Sequence, residues 1–157
     1  TLLTIDTPWK VDFQKGMRGP DETYVMTELQ TWDKNEDERI RYFSGTATYT
    51  NTFKLKKQPN QPVWIDLGRV MVMARVYVNN QYAGGVWTSP YRLNIQHLLH
   101  KGTNTLRVEV VNNWQNRLIG DQKLPENERH TWTSVNPWRD DSPLQESGLV
   151  GPVRLLQ

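Results

Sequence analysis

Between Gly45 and Pro59 the chain alternates strictly. Ala47, Tyr49, Asn51, Phe53 and Leu55 fall on one side, and Thr46, Thr48, Thr50 and Thr52 on the other. A period of two places successive side chains on opposite faces of an extended strand. The β-branched threonines suit that pleated geometry. Such a segment is satisfied by a sheet with one covered face and one wet face.

The same period recurs along the chain. Trp9, Val11 and Phe13 mark a first strand over 7–13. Val63, Ile65 and Leu67, then Ala74, Val76 and Val78, mark two more. Asn79-Asn80 tolerates the left-handed backbone of a tight hairpin, which returns from Tyr82 to Trp87. Tyr91, Leu93 and Ile95 alternate next, and 96–99 reads as a single helical turn. Leu106, Val108 and Val110 follow the turn at 101–104, and a last strand covers 150–156. Asp33 and Glu36 have capping-box spacing, which predicts a short helix over 34–42. Residues 14–30 read as loop. About seven or eight short strands with almost no helix predict an all-β sandwich. At 157 residues it forms a single domain.

Composition narrows the partners. No cysteine is present, which removes disulfide frameworks, thiolate metal sites and cysteine nucleophiles together. The net charge of +2 comes from acids and bases spread along the chain, unlike the concentrated basic face that nucleic acid requires. No apolar run approaches the ~20 residues of a membrane span. The first residues carry no charged n-region of an export signal, and the chain reads as a piece of a longer or processed protein. The seven tryptophans are an excess; their flat faces and polar edges suit sandwich cores and sugar-stacking surfaces alike. Three of them, Trp114, Trp132 and Trp138, sit in the long polar stretch 112–147, which is therefore expected to pack rather than remain disordered.

Five segments, in order, resemble the sugar-binding domain of family 2 glycoside hydrolases. Ile40-Arg-Tyr-Phe-Ser-Gly-Thr-Ala-Thr-Tyr49, with Phe53, resembles that domain's first long strand. Val76-Tyr-Val-Asn79 with Ala83-Gly84 is similar to its hairpin motif, Asn80 standing where glycine is usual. Pro90 to Ile95, Lys101 to Val108, and Ser147 to Leu155 resemble the strands that follow. The segment from Asn113 to Asp121 resembles rhamnosidase-type hydrolases, in which such a domain lies near the C-terminus. The resemblance implies a galactose-binding-like jelly roll in a bacterial, extracytoplasmic glycoside hydrolase. It also implies the parent's catalytic domain as partner. In some family 2 galactosidases a loop at this point, with Trp followed two residues later by Asp, reaches toward the active site. Trp114-x-Asn116 takes that place with Asn for Asp, which removes a charge.

Few constellations here support chemistry. Glycosidases need two carboxyl groups roughly 5–9.5 Å apart, and the strand bodies offer only Asp66 and Glu109, with Asp12 near an end. Glu109 alternates with Arg107 on an outward face, where a cross-strand ion pair accounts for it. Asp33-x-Asn-x-Asp37 imitates a calcium loop but lacks glycine at its sixth position and glutamate at its twelfth. No cofactor is expected, and structural calcium held by loop carbonyls stays open. His97, His100 and His130 lack zinc spacing. Sugar recognition is the remaining candidate. Trp87, Tyr91, Trp114, Trp132 and Trp138 would stack on pyranose faces, while Asn113, Asn116, Arg117 and Asp121 would bind hydroxyls. Against this stand core packing, interface packing and ordinary loop hydrogen bonding. The rival readings are a free-standing carbohydrate-binding module, a small jelly-roll glycanase and a mere spacer.

Overall fold

The computed structural model describes residues 1–157 and has twelve strands with two short α-helices. In chain order these are β1 (Leu3–Thr4), β2 (Trp9–Phe13), β3 (Tyr24–Met26), α1 (Glu38–Arg41), β4 (Thr46–Leu55), β5 (Trp64–Asp66) and β6 (Arg69–Met71). Then come β7 (Met73–Val78), β8 (Gln81–Val86), β9 (Arg92–Asn94), β10 (Gly102–Val111), α2 (Gln115–Asp121), β11 (Gly148–Gly151) and β12 (Arg154–Leu156). A six-stranded sheet runs β3-β2-β4-β10-β7-β8, and a four-stranded sheet runs β1-β12-β5-β9. A ribbon of β11 and β6 completes the sandwich.

The alternation of β4 holds along its length. Ala47, Tyr49, Asn51, Phe53 and Leu55 are buried, and the threonines face outward. Its neighbour β10 pairs with it antiparallel over ten residues and turns Leu106, Val108 and Val110 inward. These side chains meet Ile65, Leu67 and Leu155 from the other strands in one continuous core. At one end Phe13, Trp32 and Phe43 pack edge to face, with centroids 4.8–5.8 Å apart. The Trp32 indole donates to Tyr49 Oη at 2.6 Å, so neither buried polar atom is orphaned.

Asn79 and Asn80 have φ of 51° and 63°, the paired left-handed backbone of a type I′ hairpin. Asn79 also ties strands together. Its amide donates to Leu98 O and Asn104 Oδ1, and its Oδ1 accepts the Thr105 N–H.

Three expectations need correction. The helix over 34–42 is instead a 3-10 turn at Trp32–Lys34 and a four-residue helix at Glu38–Arg41. Burial of Trp32 tightens the first turn. Asn35 Oδ1 then accepts the Asp37 N–H, and Asp37, not Asp33, caps the helix by accepting the Arg39 N–H at 2.9 Å. The loop over 14–30 contains β3, an edge strand on β2. The final strand is broken at Pro152 into β11 and β12, which pair with β6 and β5 respectively. Gly148 is obligatory beside that break. Its φ is 104°, and a Cβ there would lie 2.5 Å from the Trp32 indole nitrogen.

Candidate functional site

Past the end of β10 the chain leaves the sheet, and a set of amides pins it down. Asn112 donates to Phe43 O and Ser147 Oγ and accepts the Gly45 N–H. The polar stretch then forms α2, which its composition did not announce. Its buried side is polar: Asn116, Arg117 and Asp121 lie inward with Ile119 and Gly120. Gly120 is required, because a Cβ there would meet the Tyr42 side chain at 2.7 Å.

Each of these polar groups does a specific structural task. Asn116 pairs with the backbone of Gln145 in both directions, its amide donating to Gln145 O and its Oδ1 accepting Gln145 N–H, each at 2.8 Å. The Arg117 amide donates to Ser44 Oγ, and its guanidinium sits 6.0 Å from the Tyr42 ring centroid. Arg117 Nε also lies 3.0 Å from Asp121 Oδ1, as an ion pair out of hydrogen-bonding alignment. Asp121 is fully buried. Its Oδ2 accepts from His130 N, Thr131 N and Thr131 Oγ1 at 3.0, 2.8 and 2.6 Å. A buried carboxylate requires such pairing, and here the pairing brings the segment 130–133 back onto α2.

The result is a cleft of about 420 Å³ lined by Trp114, Leu118, His130, Thr131, Trp132 and Thr133. Trp132 is 87% exposed and Trp114 54% exposed. Two indoles 18 positions apart in sequence thus share one cleft. Of the other predicted residues, Asn113 donates to the Gln145 side chain. Trp138 is half-buried, stands apart from the cleft and donates its backbone N–H to Asn136 Oδ1. Tyr91 is half-buried, packs on the core and accepts from Leu67 N through its carbonyl. Trp87, 71% exposed, borders a separate cleft of about 330 Å³ on the six-stranded sheet. Asn116, Arg117 and Asp121 have their side chains engaged by the protein itself.

Of the three strand carboxylates, Asp66 and Glu109 stand on different sheets. Asp66 lies between Arg92 and Arg154, at 3.2 and 3.1 Å, on the outer face of the four-stranded sheet. Burial would raise its pKa, but the Gly68 N–H and the two guanidiniums prevail and hold it below the usual carboxylate range. Glu109 is on the outer face of the six-stranded sheet, 3.1 Å from the directly opposite Arg75 and also paired with Arg107. Asp66 and Glu109 therefore cannot grip one glycosidic bond from two sides, and Asp12, on the same outer face as Glu109, accepts from Thr23 Oγ1. No group of three or more His, Asp and Glu side chains is placed to hold a metal.

Comparison with known proteins matches residues 24–146 to the model of a family described as glycosyl hydrolase 2 galactose-binding domain-like. A Formosa agariphila protein named "Putative beta-glucuronidase" is 37% identical over 154 residues, covering 82% of this chain and 13% of that protein. The structure of a rhamnosidase from Novosphingobium sp. PP1Y superposes with a TM-score of 0.90 at 43% identity, over 98% of this chain and 14% of that one. A Ruminococcus gnavus beta-glucuronidase superposes at 0.60 over 70% of this chain and 20% of its own, at 20% identity, a likeness of fold alone. The chain therefore spans about one seventh of the length of its nearer relatives among these.

Proposed function

Since the chain belongs to the galactose-binding-domain-like family of glycosyl hydrolase 2 proteins, we propose that it packs on the catalytic domain of a glycoside hydrolase and presents the Trp114–Trp132 cleft to glycan. The domain is not itself the catalyst. Two of its strand carboxylates, Asp66 and Glu109, are ion-paired with arginines on opposite outer faces. The parent is a bacterial, extracytoplasmic glycoside hydrolase, a reading that rests on the resemblance of the segments from Ile40 to Leu155.

One observation carries the glycan part: a fully buried carboxylate holds Trp132 beside Trp114 while both indoles stay open to solvent. Large exposed aromatics on a fixed frame are the usual platform for an apolar sugar face. Trp114→Ala and Trp132→Ala in the whole enzyme are expected to raise KM or lower kcat on polymeric substrate, with the thermal midpoint unchanged. Unaltered kinetics in both variants would remove glycan contact from the Trp114–Trp132 cleft.

A further inference from the structure

We propose a second glycan-contact site on the outer face of the six-stranded sheet, centred on Trp87 and separate from the Trp114–Trp132 cleft. It shares with the preceding reading only the premise that glycan reaches this end of the sandwich.

The strand register builds the site. Gly85 stands opposite Arg75, and Arg75 opposite Glu109, so these three form one row across β8, β7 and β10. The adjoining row pairs Met73 with Val111 and Val111 with Thr46. Trp87 follows the last residue of β8 at the same margin. Together they enclose the cleft of about 330 Å³, within the size range of small-molecule sites.

Its chemistry fits a pyranose. Trp87, Met73 and Val111 give an apolar wall, with the indole 71% exposed. On the floor Glu109 offers an acceptor and Arg75 a donor. Glu109 is held between two arginines, with Arg75 at 3.1 Å and Arg107 on its other oxygen, while the Arg75 side chain stays largely open to solvent. The Arg107 guanidinium in turn lies 3.7 Å from the Tyr77 ring centroid. Gly85 keeps the space open. A Cβ there would meet nothing closer than 3.5 Å, so the missing side chain leaves room for a ligand rather than relieving a clash. An apolar plane beside a donor–acceptor pair complements the apolar face and hydroxyl edge of a sugar ring.

The two aromatic sites lie on one margin. Trp87 and Val111 are separated by two strand spacings, roughly 10 Å, and Trp114 lies three residues beyond Val111. A free monosaccharide cannot touch both sites. An oligosaccharide can, and that is the ligand class the spacing selects.

The indole N–H resonances of the 157-residue chain would test this during titration with methyl rhamnopyranoside and with a rhamnose–glucuronate tetrasaccharide, sugars chosen from the relatives' names. The tetrasaccharide is expected to shift Trp87, and Trp87→Ala to weaken its binding about tenfold. Gly85→Val, whose Cβ clashes with nothing, projects into the cleft and should weaken binding similarly while the Trp132 resonance still responds. A response at Trp132 with none at Trp87 would overturn this site and leave the first reading standing. The reverse would support this site and count against the other. Silence at both indoles, or a Gly85→Val variant that binds like the parent chain, would also overturn it.

Discussion

Asp121 Oδ2 accepts both the hydroxyl and the amide of Thr131, at 2.6 and 2.8 Å, so one buried oxygen decides where the long excursion after α2 returns. Trp132, the next residue, inherits its position from that contact.

Asp121→Ala should therefore cost about 3–5 kcal/mol, since it strands the buried Arg117 guanidinium and frees two backbone amides. Chemical denaturation gives the stability, and Trp132 gives a local signal: its indole resonance should collapse toward the random-coil value. A loss under 1 kcal/mol would mean that the segment is held elsewhere.

Tyr49 carries an alkaline signature. Burial pushes its phenol up from 10.0 to about 12, partly offset by the hydrogen bonds from Leu149 N–H and the Trp32 indole. Below pH 10 the folded and unfolded chains hold this proton equally. Between pH 10 and 12 only the unfolded chain releases it, so this contribution to stability is present at lower pH and is lost as pH rises through that window. Tyr49→Phe should flatten the fall in unfolding free energy across that range, at the expense of about 1 kcal/mol at neutral pH. An unchanged alkaline slope would show that Tyr49 is not its source.

The two asparagines of the β7–β8 turn should respond oppositely. Asn79→Ala removes three side-chain hydrogen bonds that join the turn to Leu98, Asn104 and Thr105, and should lose about 2–3 kcal/mol. Asn80 shows no such bonds and only has to adopt φ of 63°. Asn80→Gly should be neutral or stabilising by up to about 1 kcal/mol. Thermal melts of the two variants decide it, and equal losses would contradict this division of labour.

Sequence alone made the sheets readable because β4 and β10 each answer to a single rule. Ala47 to Leu55 and Leu106 to Val110 must turn inward, and Asn79-Asn80 must turn the chain. Two places defeated local reasoning. Asp33 and Glu36 have the spacing of a capping box, yet the burial of Trp32 and the Asn35 side-chain turn shift the helix start to Asp37. The helix α2 hides because its inward residues include Asn116, Arg117 and Asp121, which look like solvent-facing loop residues until their tertiary partners are known. Trp87, Trp114 and Trp132 were recognisable as aromatics near loops. That the last two share a cleft depends on Asp121 reaching Thr131, a contact that no periodicity encodes.

The excursion after α2 is moored at its two roots, by Asp121 to Thr131 and by Asn116 to Gln145. Everything between those moorings can be lengthened, shortened or rewritten without disturbing a strand. On the proposed reading the sandwich is a chassis for an exchangeable glycan contact, and grafting a relative's 132–144 segment between intact moorings is the direct way to move it.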